Sequence, residues 1–282
     1  MYNPLLLGAV NDVEDLAASA MDLAPGVWLN PLLESGNGSG AVCSESALAS
    51  ADSDGRDFPH ISKIEDPPIS FADVGRSQYH DVWNDSDYAE FSGLWNSNAF
   101  RRLKKEELPD NANVVTGKWV RSWKTDDRGN VIKPKSRMVA RGFGQIQNVD
   151  FSETFAPTPA AASVKIAVAV ANERDWLLRH LDIKQAFIQA HLDEAVYMRL
   201  PADCGDMSGE VVQLKCAVYG LRQDGREWNL GLSGVLLQKT GMEQDKTDPC
   251  GFRKATDGEV TLIVCVHVDG LVVAKKDWRN VV

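Results

Sequence analysis

The first 100 residues have almost no basic side chains. Arg56, Lys63 and Arg76 stand against 16 acidic residues, which gives this part a net charge of −13. Residues 101–282 carry 27 basic and 24 acidic residues, a net of +3. The charge of the whole chain, −10, would argue against a nucleic-acid-binding protein, because such proteins rely on basic surfaces. Since the excess of acidic residues lies in residues 1–100, the argument against nucleic-acid binding applies to that part of the chain only.

The chain also lacks long apolar runs and closely spaced cysteines. No run approaches the roughly 20 apolar residues that a membrane-spanning helix needs. The apolar segment 1–10 has no basic residues before it and no cleavage pattern after it, which argues against a secretory signal. The five cysteines contain no C-x-x-C pair and indicate free thiols in a reducing compartment. We therefore predict an intracellular protein, cytoplasmic or nuclear, that is neither secreted nor bound to a membrane.

Residues 11–75 have little periodic structure. They are rich in Ala, Ser, Gly, Asp and Pro, a composition typical of disordered segments. We therefore predict an acidic, mostly disordered leader over residues 1–78 and a folded region over 79–282. Two D-x-D pairs, Asp52/Asp54 and Asp85/Asp87, could hold a metal ion, but in an acidic polar stretch they are more often solvated charge. We favour the second interpretation.

The folded region begins with a predicted helix and a predicted hairpin. Apolar residues between Phe91 and Leu103 predict one or two helices that end near Pro109. Two β-rich runs, Val114–Trp123 and Val131–Val139, flank a segment with the turn-forming residues Gly129 and Asn130. Together the two runs predict an antiparallel hairpin.

The basic residues concentrate around this hairpin. Residues 101–141 contain 12 basic and five acidic side chains, a net of +7. Such a concentration is typical either of a solvated basic face or of a surface that binds phosphates. Composition alone does not choose between the two.

Helices and antiparallel strands alternate in the rest of the chain. Ser163 could cap a helix over Val164–Ala171, and a strand is predicted around Arg179–Ala186. A second helix has an apolar stripe that starts at Trp228, with Gly241 as its C-cap. Further predictions are a loop at Pro201–Gly209, strands at Val211–Leu214, Phe252–Lys254, Val260–Val266 and Leu271–Ala274, and turns at Asp257-Gly258 and Asp269-Gly270. This alternation predicts the α+β class.

Eight short motifs follow one another between residues 88 and 274. They are Thr116-Gly-Lys-Trp-Val120, Lys135-Ser-Arg-Met-Val-Ala-Arg-Gly-Phe143, Asp150-Phe-Ser-Glu-Thr-Phe-Ala-Pro157, His180-Leu-Asp-Ile-Lys-Gln-Ala-Phe187, Glu194-Ala-Val-Tyr-Met198, Leu214-Lys-Cys-Ala-Val-Tyr-Gly-Leu-Arg-Gln223, Lys246-Thr-Asp-Pro-Cys250 and Val266-His-Val-Asp-Gly270. In this order and spacing they resemble the reverse transcriptase of copia-type LTR retrotransposons. Any one motif is weak, but the series is specific.

The resemblance implies a right-hand polymerase fold with fingers and palm. The basic hairpin would belong to the fingers, and the later hairpin would form the floor of the palm. The implied cofactor is Mg²⁺ or Mn²⁺, and the implied partners are an RNA or DNA template-primer, a dNTP and other polyprotein segments in trans. Because Val282 lies only 12 residues after Gly270, we expect an incomplete palm and no thumb.

The resemblance also assigns metal ligands. Asp182 and Asp269 match the first two aspartates that hold metal in this family. The family's tight hairpin normally reads Tyr-Val-Asp-Asp, whereas this chain has His267-Val-Asp-Gly270, so a glycine stands at the third carboxylate position. Without any chemistry, Asp-Gly between two apolar runs is an ordinary hairpin turn.

Four residues match nucleotide-binding positions of the family. Arg137 and Lys124 match the pair that meets the triphosphate, a task that suits the bidentate fork of arginine. Phe187 matches the aromatic gate against a ribose 2′-hydroxyl, although it could equally be an ordinary core residue. Gln223 matches the residue that contacts the nucleotide sugar and base. The family usually continues with Ser-Pro, but here Asp224-Gly225 places a negative charge where phosphates approach.

Two hypotheses therefore remain for the function. The first is a reverse transcriptase domain that makes DNA by two-metal-ion nucleotidyl transfer, which we expect to be inactive in this chain. The second is a non-catalytic retroelement relic, a pseudoenzyme that at most binds nucleic acid weakly.

Overall fold

A computed structural model describes residues 58–183 and 185–276. Cys43, Asp52, Asp54 and most of the predicted leader lie outside the described residues. The described chain divides into two compact units. The hairpin unit contains residues 58–151 and 194–222, and the turn unit contains residues 152–193 and 223–276. Within these residues no helix is long and apolar enough to cross a membrane.

Both units combine helices with β-strands, as the predicted α+β class requires. The helices are α1 (Phe71–Val74), α2 (His80–Asn96), α3 (Ala161–Glu173) and α4 (Asp224–Gln238), and short 3₁₀ helices span Ile61–Lys63, Lys105–Glu107, Gly142–Gly144, Ala186–Gln189 and Gly205–Met207. The strands are β1 (Phe100–Arg102), β2 (Val114–Thr125), β3 (Val131–Ala140), β4 (Leu177–Asp182), β5 (His191–Arg199), β6 (Val211–Cys216), β7 (Glu243–Gln244), β8 (Gly251–Thr256), β9 (Glu259–His267) and β10 (Gly270–Lys275).

The hairpin unit is built on a five-stranded sheet in the order β1-β6-β5-β2-β3. Strands β2 and β3 are antiparallel, with Trp119 opposite Met138, which confirms the predicted hairpin. Side chains on a strand alternate between faces, so Trp119 and Trp123 are buried on one face. The turn closes because the Asp126 carboxylate accepts the backbone N–H of Asn130 at 2.8 Å.

Residues 58–79 pack against this hairpin. The rings of Phe58, Tyr79 and Trp83 surround Trp123, and the Trp83 and Trp123 centroids are 4.4 Å apart. The backbone N–H of Ile61 donates to the Gly129 carbonyl at 2.9 Å. The predicted boundary at residue 78 stays a prediction, but residues 58–78 are part of the described hairpin unit.

The predicted helix between Phe91 and Pro109 is wrong in its second half. Helix α2 ends at Asn96, and residues 100–102 form β1, in which Phe100 pairs with Leu214. Asn98 has a φ of 53°, a left-handed conformation that ends the helix. The apolar spacing looked continuous because Phe91 of the helix and Phe100 of the strand pack together, with ring centroids 5.8 Å apart.

Asp87 does not carry solvated charge as predicted. Its side chain is 2% exposed and its carboxylate binds the guanidinium of Arg121, with Nη2 2.6 Å from Oδ2. Asp203 lies 3.3 Å from the same nitrogen. Arg121 therefore joins helix α2 to strand β2 and to the loop after β5, while Asp85 is exposed as predicted.

The turn unit contains a five-stranded antiparallel sheet in the order β4-β10-β9-β8-β7. Helix α3 covers it, with Ala171 packed beside Trp176 and Ala274. Ser163 is not the predicted N-cap, because the helix begins at Ala161 after Ala160. The Asp248 carboxylate instead accepts the Ala160 backbone N–H at 2.9 Å and so holds this end of the helix.

Two predicted boundaries in this unit are also corrected. Strand β4 ends at Asp182 and does not reach Ala186, because the chain turns into the 3₁₀ helix at Ala186–Gln189. The C-cap of α4 is Lys239, whereas Gly241 lies two residues further on with a φ of 65°. The glycine serves the turn that leads to β7.

The predicted free thiols are confirmed for the four described cysteines, all of which are buried. Burial raises the pKa of Cys204 to about 12 and the pKa of Cys216 to about 11. Because the thiolate is the reactive form, these thiols are poor nucleophiles and poor metal ligands at neutral pH.

Candidate functional site

Three strand ends meet at one end of the sheet in the turn unit. Asp182 is the last residue of β4 and is exposed. Antiparallel pairing places Gly270, the first residue of β10, opposite Asp182 and also opposite His267 at the end of β9. Directly opposed residues project from the same face of a sheet. A side chain at position 270 would therefore stand between Asp182 and His267.

The turn between β9 and β10 is fixed from two sides. Val268 has a φ of 55°, a strained value for a β-branched residue. Its carbonyl accepts the Trp228 indole N–H at 2.6 Å, and the Asp269 carbonyl accepts the Ile183 N–H at 2.8 Å. The two-residue turn is thus Val268-Asp269 and not the predicted Asp269-Gly270, because Gly270 already pairs as a strand residue.

Both predicted metal-ligand residues lie at this end of the sheet. Asp182 ends β4 and Asp269 belongs to the turn before β10, whereas Gly270, at the third carboxylate position of the family pattern, has no side chain. Among residues 58–183 and 185–276, no three His, Cys, Asp or Glu side chains are grouped so that they could hold a metal ion. The role of Asp182 and Asp269 as metal ligands stays a prediction.

The imidazole of His180 lies close to the position that the Cβ of a side chain at residue 270 would take. A Cβ added to Gly270 would lie 3.1 Å from Nε2 of His180 and 3.4 Å from the His267 carbonyl oxygen. His180 precedes Asp182 by two residues on β4, so both side chains leave the same face of the strand. We did not predict a role for His180 from the sequence, although this two-residue spacing could have pointed to it.

Two further predicted residues belong to the turn unit. Phe187 lies half-buried in the 3₁₀ helix Ala186–Gln189. Gln223 is the N-cap residue of α4 and is only 1% exposed. The Gly225 N–H donates to the Asp224 carboxylate at 2.6 Å, so this acid satisfies a donor of the helix N-terminus. The roles of Phe187 and Gln223 toward a nucleotide stay predictions.

The solvent face of the hairpin is strongly basic. We call it the basic face; its charged residues are Lys118, Lys124, Lys133, Lys135 and Arg137. Lys124 pairs with Lys133 across the strands, and Lys135 pairs with Ser122. Neither β2 nor β3 contains an acidic residue. Burial and the nearby Arg137 and Lys124 lower the pKa of Lys135, as close packing of like charges requires.

Both predicted triphosphate residues lie on the basic face, but they do not oppose each other. Arg137 pairs with Val120, four residues before Lys124 on the same strand. The Arg137 guanidinium lies over the Tyr219 ring, 5.4 Å from its centroid. We did not predict a role for Lys118, Lys133 or Lys135, although the alternation of side chains along the two strands could have identified them.

Helix α2 closes the outer edge of this hairpin. The Ser136 N–H donates to the Ser86 hydroxyl at 3.0 Å, and the Met138 N–H donates to the Glu90 carboxylate at 3.3 Å. Burial raises the pKa of Glu90, although Arg137 and Lys135 oppose that shift. Two backbone N–H groups at the edge of β3 thus donate to side chains of helix α2, while the basic face of the hairpin remains exposed to solvent.

Known proteins identify the family of this chain. A family model described as reverse transcriptase (RNA-dependent DNA polymerase) matches residues 101–282. The retrovirus-related Pol polyprotein from transposon RE1 of Arabidopsis thaliana is 32% identical over 171 residues, which cover 60% of this chain and 12% of that protein. The corresponding polyprotein from transposon TNT 1-94 of Nicotiana tabacum is 29% identical over 177 residues, 62% of this chain and 13% of that protein.

A yeast polyprotein is also similar to this chain. The transposon Ty1-DR4 Gag-Pol polyprotein of Saccharomyces cerevisiae is 30% identical over 146 residues, 52% of this chain and 9% of that protein. The chain thus spans a small part of the length of these polyproteins. It belongs to the reverse transcriptase family, as a domain of the copia type found in retrotransposon Pol polyproteins.

Proposed function

We propose that this chain is a nucleic-acid-binding reverse transcriptase domain that does not itself add nucleotides. In this proposal the hairpin unit corresponds to the fingers and the turn unit to part of the palm. The family typically uses a divalent metal ion, and hard ions of this kind bind carboxylate oxygens. One observation carries the proposal: glycine, which offers no ligand, stands directly opposite Asp182 at position 270.

A primer-extension assay tests the catalytic part. The purified chain is given poly(rA)/oligo(dT), dTTP and either Mg²⁺ or Mn²⁺, beside the Asp182→Ala variant. We expect no incorporation above that of the variant, because removing one well-placed electrostatic stabiliser commonly costs about 10²–10³ in rate. Template-dependent incorporation that disappears in Asp182→Ala would overturn the claim of inactivity.

The nucleic-acid-binding part of the proposal rests on the basic face. Four exposed lysines and Arg137 share one surface without an acid on either strand, which is the arrangement that attracts phosphates and releases their counterions. The family implies a template-primer and a dNTP as the natural partners. Both present phosphates, so the surface suits either.

Neutralising this surface is expected to change the salt dependence of binding. In a variant with Lys124, Lys133 and Lys135 all changed to serine, the slope of log K against log salt for single-stranded DNA should become shallower by about 2, since each phosphate contact contributes roughly 0.7. Fluorescence anisotropy over a salt series measures the slope. The matched control changes three exposed lysines elsewhere, Lys165, Lys215 and Lys246, and should leave it unaltered. Equal slopes for the two variants would contradict the assignment.

A further inference from the structure

The loop after β3 presents apolar side chains to solvent on a rigid base. Phe143 is 79% exposed, Ile146 52% and Val149 53%. All three lie within residues 142–149, and the Val149 N–H donates to the Ile146 carbonyl, so the last two share one turn. Contiguous exposed apolar groups of this kind mark binding surfaces. We call these three residues the apolar loop.

The backbone beneath the apolar loop is held by hydrogen bonds to polar side chains, of which Asp150 and Gln145 are buried. The Asn113 amide donates to the Gly144 carbonyl at 2.8 Å, and the Ile146 N–H donates to the Asp150 carboxylate at 2.7 Å. Gln145, 7% exposed, accepts the Arg222 N–H at 2.8 Å. These hydrogen bonds fix the backbone that carries the exposed Phe143 ring. A ligand that stacks on the ring therefore pays little conformational entropy for ordering the loop.

The charge around the apolar loop indicates its ligand. No acidic residue occurs between Asp127 and Asp150, a stretch that includes the second strand of the basic face and the exposed Arg141. Arg222 adds another cation, because its Nε donates to the Gly142 carbonyl at 3.0 Å beside Phe143. An exposed aromatic ring among cations is the combination by which proteins hold unpaired nucleotides, through base stacking and phosphate contacts.

We propose that Phe143 is a stacking platform for a base of single-stranded nucleic acid, in the same unit as the basic face whose cations would hold the phosphates. This proposal rests on the nucleic-acid binding proposed above and adds a preference for unpaired strands. Stacking needs an unpaired base, so the ring should add no affinity for a blunt duplex, whose bases are paired and stacked on one another.

Fluorescence anisotropy with oligo(dT) and with a blunt duplex of equal length tests the platform. Phe143→Ala should weaken oligo(dT) binding by about 5- to 150-fold, the range for loss of one stacked base, and change duplex binding less than about 2-fold. Phe143→Trp should retain oligo(dT) affinity. The matched control is Phe155→Ala, since Phe155 is 78% exposed but belongs to the turn unit. An oligonucleotide of abasic sites should bind the wild-type chain and Phe143→Ala equally.

The outcomes separate this proposal from the one on which it rests. Unchanged oligo(dT) binding in Phe143→Ala, together with a shallower salt slope in the triple lysine variant, would overturn the platform and keep the basic face. Equal weakening on duplex and single strand would also overturn it. If Phe143→Ala leaves oligo(dT) binding intact and instead lowers the mass seen by light scattering, the apolar loop is a contact between copies of the chain.

Discussion

Replacing Asp87 by alanine is expected to lower the free energy of unfolding by about 3–5 kcal/mol, the range for removing one partner of a buried ion pair. The Arg121 side chain is 1% exposed, and Asp87 supplies its shortest contact. Without that carboxylate the guanidinium keeps two longer polar contacts, to Asp203 at 3.3 Å and to the Pro68 carbonyl at 3.5 Å, and lies over the Trp119 ring. Urea denaturation followed by tryptophan fluorescence measures the loss.

Helix α2 provides the control for this prediction. Asp85→Ala removes an exposed acid from the same helix and should change stability by less than about 0.5 kcal/mol. Asp87→Asn keeps one oxygen acceptor and should cost less than Asp87→Ala. Similar losses for Asp85→Ala and Asp87→Ala would show that the Asp87–Arg121 pair does not stabilise the fold as described.

A methyl group on Gly220 is expected to lower the free energy of unfolding by about 2–6 kcal/mol. Its Cβ would lie 2.4 Å from the Ala140 carbonyl oxygen and 2.6 Å from a Val139 methyl, and its φ is 89°. Overpacking of this kind costs about 1–3 kcal/mol, and a left-handed backbone adds roughly 1–3 more for a residue with a side chain. Gly220→Ala should therefore shift the urea midpoint strongly.

Gly209→Ala separates the two contributions. Gly209 has a similar φ of 76° but no atom within 4 Å of an added Cβ, so its substitution carries the backbone cost alone. We expect a loss of about 1–2 kcal/mol for Gly209→Ala. Equal losses for the two glycines would contradict the close approach at Gly220.

The Gly220 contact joins two of the family motifs in this chain. The Gly142 N–H donates to the Gly220 carbonyl at 3.1 Å, and a Cβ on Gly142 would lie 2.2 Å from the same oxygen. The Ala140 N–H donates to the Tyr219 carbonyl at 2.8 Å. The end of β3 and the segment after β6 therefore touch backbone to backbone. Both glycines have a structural role that needs no contact with a nucleotide.

Local pattern was sufficient for the hairpin of β2 and β3 but not for the helix ends, nor for β1 and β5, which we did not predict as strands. The hairpin could be predicted because its alternation and its turn residues lie within one short segment. The start of α3 could not, because the carboxylate that holds it, Asp248, is 88 residues away from Ala160. The prediction that α2 continues past Asn96 failed for a similar reason. Phe100 is apolar because it packs against other elements of the fold and not because it continues the apolar face of the helix.

The candidate site was predictable in its residues and less so in its geometry. Asp182, Asp269 and Gly270 were identified from motifs, and β-pairing brings them to one end of a sheet. The position of the turn depends on cross-strand register, which shifted it by one residue to Val268-Asp269. The basic charge around the hairpin was predicted, but its individual lysines could be assigned to one surface only when the side chains of the two strands were sorted by face.

The position of His180 bears on any attempt to restore the missing carboxylate. The Cβ of a Gly270→Asp variant would arrive 3.1 Å from the His180 imidazole, so this ring would have to shift by a few tenths of an ångström to accommodate the new side chain. A rescue experiment that changes Gly270 alone therefore also reports how freely the His180 ring can move, and a Gly270→Asp variant combined with a smaller residue at position 180 separates the two effects.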